Sequence, residues 1–159
     1  MAEVREIVTG FELLVEERKD ANGSRVLRTL IDRQFSDAGG WKQKKSGGVD
    51  WIKQQAINSR PRYICVGVEI QVSGRSDLLS VDLIHLRKEL LQGKIDLAVL
   101  VVPSDKLGYF LTDRVAKLSE AHRHIEMARA DDMPFVLIAI EHDGLGPALP
   151  KQGKKFSNE

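Results

Sequence analysis

The stretch Tyr63-Ile64-Cys65-Val66-Gly67-Val68-Glu69-Ile70-Gln71-Val72 decides how this chain is read. Its β-branched richness predicts a core strand, and side-chain alternation divides it into two faces. Ile64, Val66, Val68, Ile70 and Val72 make one apolar wall, while Cys65, Gly67, Glu69 and Gln71 share the other side. A carboxylate as deep in such a strand as Glu69 needs a cation or strong donors, because burying it alone is prohibitive. Asp50, just ahead of the preceding predicted strand, is a candidate second carboxylate.

Two acids from neighbouring strands around one divalent ion suit metal-assisted phosphodiester chemistry. Each acid also has an ordinary reading. Asp50 follows Gly47-Gly48-Val49 and suits a turn, and Glu69 can face solvent from a half-exposed strand. The combination carries more than either member.

Outward from this strand, the pattern predicts helix, helix, β-hairpin region, helix, strand, helix, strand. Residues 3–17 place Val4, Ile7, Val8, Phe11, Leu14 and Val15 at helical spacing. Asp20-Ala21-Asn22-Gly23 breaks that helix, and Ser24 is a candidate N-cap for a second one ending at Gly39-Gly40. Residues 41–45 suggest a short strand, and residues 49–56 and 63–72 pair as a hairpin. Ser76 caps a third helix over residues 77–92, with Leu78, Leu79, Leu83, Leu86 and Leu90 as its buried stripe. Residues 95–102 form a strand apolar on both faces. Thr112 is expected to cap a fourth helix reaching about Ala130, and residues 135–140 form the last strand. The expected fold class is α/β, a central mixed sheet flanked by helices. One domain is expected over residues 1–143, with a flexible tail over residues 144–159 rich in Pro and Lys.

Composition sets the remaining bounds. A 42% hydrophobic, 30% charged chain of 159 residues has the make-up of one soluble globular domain. No apolar run reaches the roughly 18 to 20 residues that span a bilayer, and the acid-bearing N-terminus is not a secretory signal. Cys65 is the single cysteine, so no internal disulfide can form, which fits a reducing cytoplasm. The net charge of +1 is uninformative, but its distribution is not. Lys42, Lys44, Lys45, Lys53, Arg60 and Arg62 surround the single acid Asp50, a cluster suited to phosphates. The alternative is a solvated basic loop. His122 and His124 lie two apart on a predicted helix and diverge; His85 and His142 stand alone. No Walker loop, zinc spacing or dinucleotide glycine motif is present.

The order of elements resembles the PD-(D/E)XK nuclease superfamily, and more narrowly the BglII-like branch of type II restriction endonucleases. The resemblance rests on residues 30–41, Gly48-Val49-Asp50, Val68-Glu69-Ile70-Gln71 and Gln92-Gly93-Lys94-Ile95-Asp96-Leu97-Ala98-Val99-Leu100-Val101-Val102-Pro103, and spans residues 24–143. It implies a restriction-endonuclease-like core and a magnesium-dependent endodeoxyribonuclease, with Mn2+ as a substitute ion. Asp50, Glu69 and the carbonyl of Ile70 would hold the ion. Gln71 stands where such nucleases usually carry Lys; its amide cannot act as a base at neutral pH but can orient water. Val49 replaces the proline of the nominal motif.

Some relatives add an acid from the preceding helix. Asp32 lies at a suitable distance, although on its own it reads as a surface aspartate. Ser73 and Arg75, directly after the motif strand, are candidate phosphate contacts. The resemblance further implies double-stranded DNA as partner and a homodimer cutting both strands. A second reading, a catalytically inactive nuclease fold used for DNA binding or assembly, is kept open by Gln71.

Overall fold

The computed structural model describes residues 1–45, 48–57 and 62–151. Its central sheet has five strands in the order β2-β3-β4-β5-β6: β2 (Lys42–Gln43), β3 (Trp51–Ala56), β4 (Tyr63–Ile70), β5 (Leu97–Pro103) and β6 (Phe135–Ile140). Strands β2, β3 and β4 pair antiparallel, and β4, β5 and β6 pair parallel. The sheet is therefore mixed, as the sequence predicts, and the hairpin of β3 and β4 forms with Trp51 opposite Val68.

The alternation read from β4 sets the layers. Val68, Ile70 and Val72 join Val99, Val101, Ile138 and Ile140 in a core covered by α1 (Ala2–Thr9) and α2 (Ser24–Ala38). From α2 come Leu27, Ile31 and Phe35, all fully buried. Phe35 stacks on Trp51 with ring centroids 5.5 Å apart and meets Trp41 edge-on at 5.1 Å. On the other face, α3 (Leu79–Leu91) lays Leu79, Leu83 and Leu86 against Leu100, Val102, Cys65 and Ala98. Ala121 of α5 (Leu118–Met127) completes that layer. Gly67 is required where β4 crosses beneath this core: a Cβ there would lie 2.9 Å from both Val49 and Ile95 side chains.

Several expectations fail, some for local reasons and some through distant pairing. The first helix stops at Thr9 rather than Glu17, because Leu14–Val15 forms a strand, β1. It pairs in parallel with β7 (Gly144–Leu145). The segment read as a loose tail from Gly144 therefore begins inside the fold. Asp143 both donates to and accepts from the backbone of Leu13, and Leu149 exchanges hydrogen bonds with Gly23 and Asn22. Asn22, read as a helix breaker, is fully buried and bonds Glu16, Phe110 and Leu149 main-chain atoms.

The long helix expected from Thr112 is shorter, a loop followed by α5, and an unforeseen helix, α4 (Asp105–Phe110), precedes it. Asp113 and Arg114 both have positive φ, which interrupts any right-handed helix there. Ser104, not Thr112, caps with its side chain, accepting from the Leu107 N–H at 3.0 Å. Ser24 likewise is the first residue of α2 rather than its cap; its hydroxyl donates to Asp113 at 2.6 Å. Leu78, placed in the buried stripe, is half exposed.

Candidate active site

Asp50 and Glu69 meet where β3 begins and β4 ends. The ladder ends at the Trp51–Val68 pair, so Asp50, one residue before β3, is free of the regular pairing beside the Glu69 end of β4. The main chain of Asp50 is fixed from both sides: its N–H donates to the Val68 carbonyl at 2.9 Å, and its carbonyl accepts from Lys44 at 2.8 Å. Its carboxylate turns back onto β4, where Oδ2 accepts the Ile70 N–H at 2.8 Å. The Asp50 carboxylate lies close enough to raise the Glu69 carboxyl by its charge. The two acids singled out from the sequence therefore converge, beside the Ile70 backbone.

The electrostatics of this corner are unbalanced. Burial, with the charges of Asp50 and Asp82 added, pushes the Glu69 carboxyl up to about 9, against the opposing pull of Arg28. Asp82, from the first turn of α3, is also raised, by burial first and by Asp50. Arg28, from the second turn of α2, is the cation of the group. Its Nη2 lies 2.7 Å from Asp50 Oδ1, its Nη1 donates to the Ile70 carbonyl at 2.9 Å, and its Nε donates to Asp32 Oδ2 at 2.9 Å. Burial works against that charge, but Asp50 and Asp32 outweigh it and hold the guanidinium firmly ionised. Asp32 is fixed in turn by the Trp51 indole N–H at 2.8 Å. Three carboxyl groups, those of Asp50, Asp32 and Glu69, thus share one guanidinium, while Asp82 adds its charge through Asp50 and Glu69.

This donor set fits a hard divalent cation: oxygen ligands only, with more negative charge than the resident arginine offsets. Among the described residues, no three His, Cys, Asp or Glu side chains are placed to hold an ion by themselves. The set here is two carboxylates and a main-chain carbonyl. Gln71 lies one residue past β4, almost wholly buried, its N–H bonded to Val101 at 2.8 Å.

The basic residues separate into two groups. Lys44 is bound by Glu89 at 3.2 Å, and Lys53 is bound by Glu3 while lying over the Trp41 ring. Both side chains are thus engaged by acids within the fold. Arg75 is exposed but paired with Asp77 at 2.8 Å. Lys42, Lys45 and Arg62 are exposed, and Ser73 is half-buried at the end of the motif strand. Arg60 lies outside the described residues.

Sequence reasoning missed Arg28 and Asp82 and undervalued Asp32. Asp32 and Arg28 are spaced i, i+4 on one helix, a pairing visible in the sequence. Nothing in the sequence aims that pair at Asp50. Asp82 is placed by α3 packing: a Cβ on Gly48 would lie 2.9 Å from His85, so only glycine lets the Asp50 loop approach this helix.

A mixed five-stranded sheet flanked by helices, with paired acids at the mouth of its central hairpin, is the core of a restriction-endonuclease-like nuclease. The profile of the restriction endonuclease BamHI family matches residues 4–154, nearly the whole chain, and the chain belongs to that family. It is similar to the type II restriction enzyme BamHI of Bacillus amyloliquefaciens, 27% identical over 147 residues, covering 84% of this chain and 67% of that enzyme.

Proposed function

We propose that this restriction endonuclease is a magnesium-dependent enzyme that hydrolyses phosphodiester bonds of double-stranded DNA, with Mn2+ able to replace Mg2+. The convergence of Asp50 and Glu69 beside the Ile70 carbonyl, with surplus negative charge, carries this reading. Asp50, Glu69 and the Ile70 carbonyl would hold the ion. When bound, such an ion supplies a water of lowered pKa and offsets charge on the phosphate. Glu69, once deprotonated, would be a ligand, Asp50 holds the main chain of β4 through the Ile70 N–H, and the Gln71 amide would orient a water. Exposed Lys42, Lys45 and Arg62, with Arg60, Ser73 and Arg75, contact the DNA backbone.

We keep the grouping with the BglII-like branch as part of this proposal, on the strength of Gln71 at the third motif position. The enzyme would act in the cytoplasm. No helix among the described residues is long and apolar enough to cross a membrane. A homodimer is supported by the exposed row Leu78, just before α3, and Val81 and Ile84 in its first turns, spaced three apart, at 49%, 44% and 63% exposure. Val81→Glu with Ile84→Glu is expected to convert a sedimenting dimer to monomer.

Plasmid cleavage tests the reaction. Wild type is expected to cut with Mg2+ or Mn2+ and not in EDTA, and Asp50→Ala and Glu69→Ala to lose about 10³-fold or more. Unchanged cleavage in both variants contradicts the site. DNA retardation without cleavage in any metal supports the inactive DNA-binding or assembly module instead.

A further inference from the structure

We infer that Arg28 is the resident cation of the metal-free site, seated on the oxygens that would receive the divalent ion, so that the ion must displace it to bind. The inference rests on the metal-dependent reading above. Two of the three oxygens assigned to the ion already accept from this guanidinium: Asp50 Oδ1 at 2.7 Å and the Ile70 carbonyl at 2.9 Å. The other Asp50 oxygen is taken by the Ile70 N–H at 2.8 Å. An arginine fork aimed into that position and a divalent ion on the same oxygens would be like charges a few ångströms apart, a repulsion that low-dielectric surroundings enlarge.

Asp32 makes the displacement feasible. It is not among the assigned ligands, and its Oδ1 is pinned by the Trp51 indole at 2.8 Å while its Oδ2 holds the Arg28 Nε at 2.9 Å. The guanidinium can release Asp50 and Ile70 and remain tethered to Asp32. Its side chain is 22% exposed, as is that of Asp50, so the movement is toward solvent rather than through packed core. In the resting protein the same contacts tie Asp50 to Asp32 and to the end of β4 without a metal. Arginine suits this task better than lysine, because its planar fork reaches the carboxylate and the carbonyl at once. The cost falls on metal affinity: an ion that binds only the fraction of molecules with the guanidinium withdrawn binds more weakly by that fraction.

The full chain, titrated with Mn2+ after EDTA treatment and followed by thermal melting and calorimetry, tests this without reference to cleavage. Arg28→Gln is expected to melt below wild type in EDTA, yet to be stabilised at a Mn2+ midpoint about tenfold lower. Arg28→Lys, which keeps the charge but not the fork, is expected to fall between them and carries the test if the glutamine variant does not fold. A midpoint equal to or above that of wild type, in either folded variant, overturns the inference while leaving the metal site standing. If Mn2+ stabilises neither wild type nor the variants, and behaves with them as with Asp50→Asn, the metal-dependent reading falls and this inference with it.

Discussion

Two largely buried glutamates, Glu69 on β4 and Glu89 on α3, have opposite fates. Glu89 is 4% exposed and is clasped by Lys44 at 3.2 Å and Lys94 at 3.3 Å. Burial alone would push its carboxyl up, but the two ammonium groups more than offset that and hold it below the usual carboxylate range. Glu69 faces two further carboxyls and a single shared guanidinium, and is driven up to about 9. The first glutamate is complete within the chain and ties the β2 end to α3. The second has only a share of one guanidinium among several carboxyls, the imbalance that the proposed divalent ion would relieve.

The contrast is sharpest in the paired variants Glu69→Gln and Glu89→Gln. Glu69→Gln is expected to lower DNA cleavage by about 10³-fold, while leaving the metal-free protein as stable as wild type or more so at neutral pH. Glu89→Gln is expected to keep cleavage within a few-fold but to lose about 1–3 kcal/mol in urea unfolding, because it leaves two lysines without their partner. Equal stability losses in the two variants would break the comparison.

The pH dependence follows from the same pair. The folded protein holds the Glu69 proton that the unfolded chain releases near 4.5, so this contribution is complete below pH 4.5 and is lost as pH rises toward 9. Glu89 has the reverse sign: its contribution is present above the ordinary carboxylate range and is lost as pH falls through its depressed value. Thermal melting in EDTA across pH 4 to 9 is expected to show an alkaline decline that Glu69→Gln flattens and Glu89→Gln leaves intact. With Mn2+ present the decline should shrink or reverse, since ligation requires the deprotonated carboxylate.

A smaller effect separates the lysines. Lys42→Ala and Lys45→Ala are each expected to weaken DNA binding evenly across sequences and to reduce the salt slope by about one. Lys44→Ala, whose charge is spent on Glu89, should cost stability more than DNA affinity. Gel retardation over a salt series, beside urea melts, measures both.

The mixed sheet, the hairpin and the pairing of Asp50 with Glu69 were legible because the apolar run of β4 carries its own contradiction, the polar Glu69 within it and Gln71 just past it. What stayed hidden was tertiary. The strand pairing of Leu14–Val15 depends on Gly144–Leu145, some 130 residues away, so helical spacing alone carried the first helix too far. The left-handed Asp113 and Arg114 break a helix that composition favours. Lys44 and Lys53 looked like a basic cluster until Glu89 and Glu3 came beside them. Arg28 gave no sign in the sequence that it would reach Asp50, since its role depends on how α2 crosses the end of β4.

Anomalous diffraction from a crystal soaked in Mn2+ tests the central claim most directly. A single peak is expected about 2.0–2.4 Å from carboxylate oxygens of both Asp50 and Glu69 and from the Ile70 carbonyl, with the Arg28 guanidinium withdrawn toward Asp32. A fully loaded crystal with the ion elsewhere, and Arg28 still bonded to Asp50 and Ile70, would contradict it.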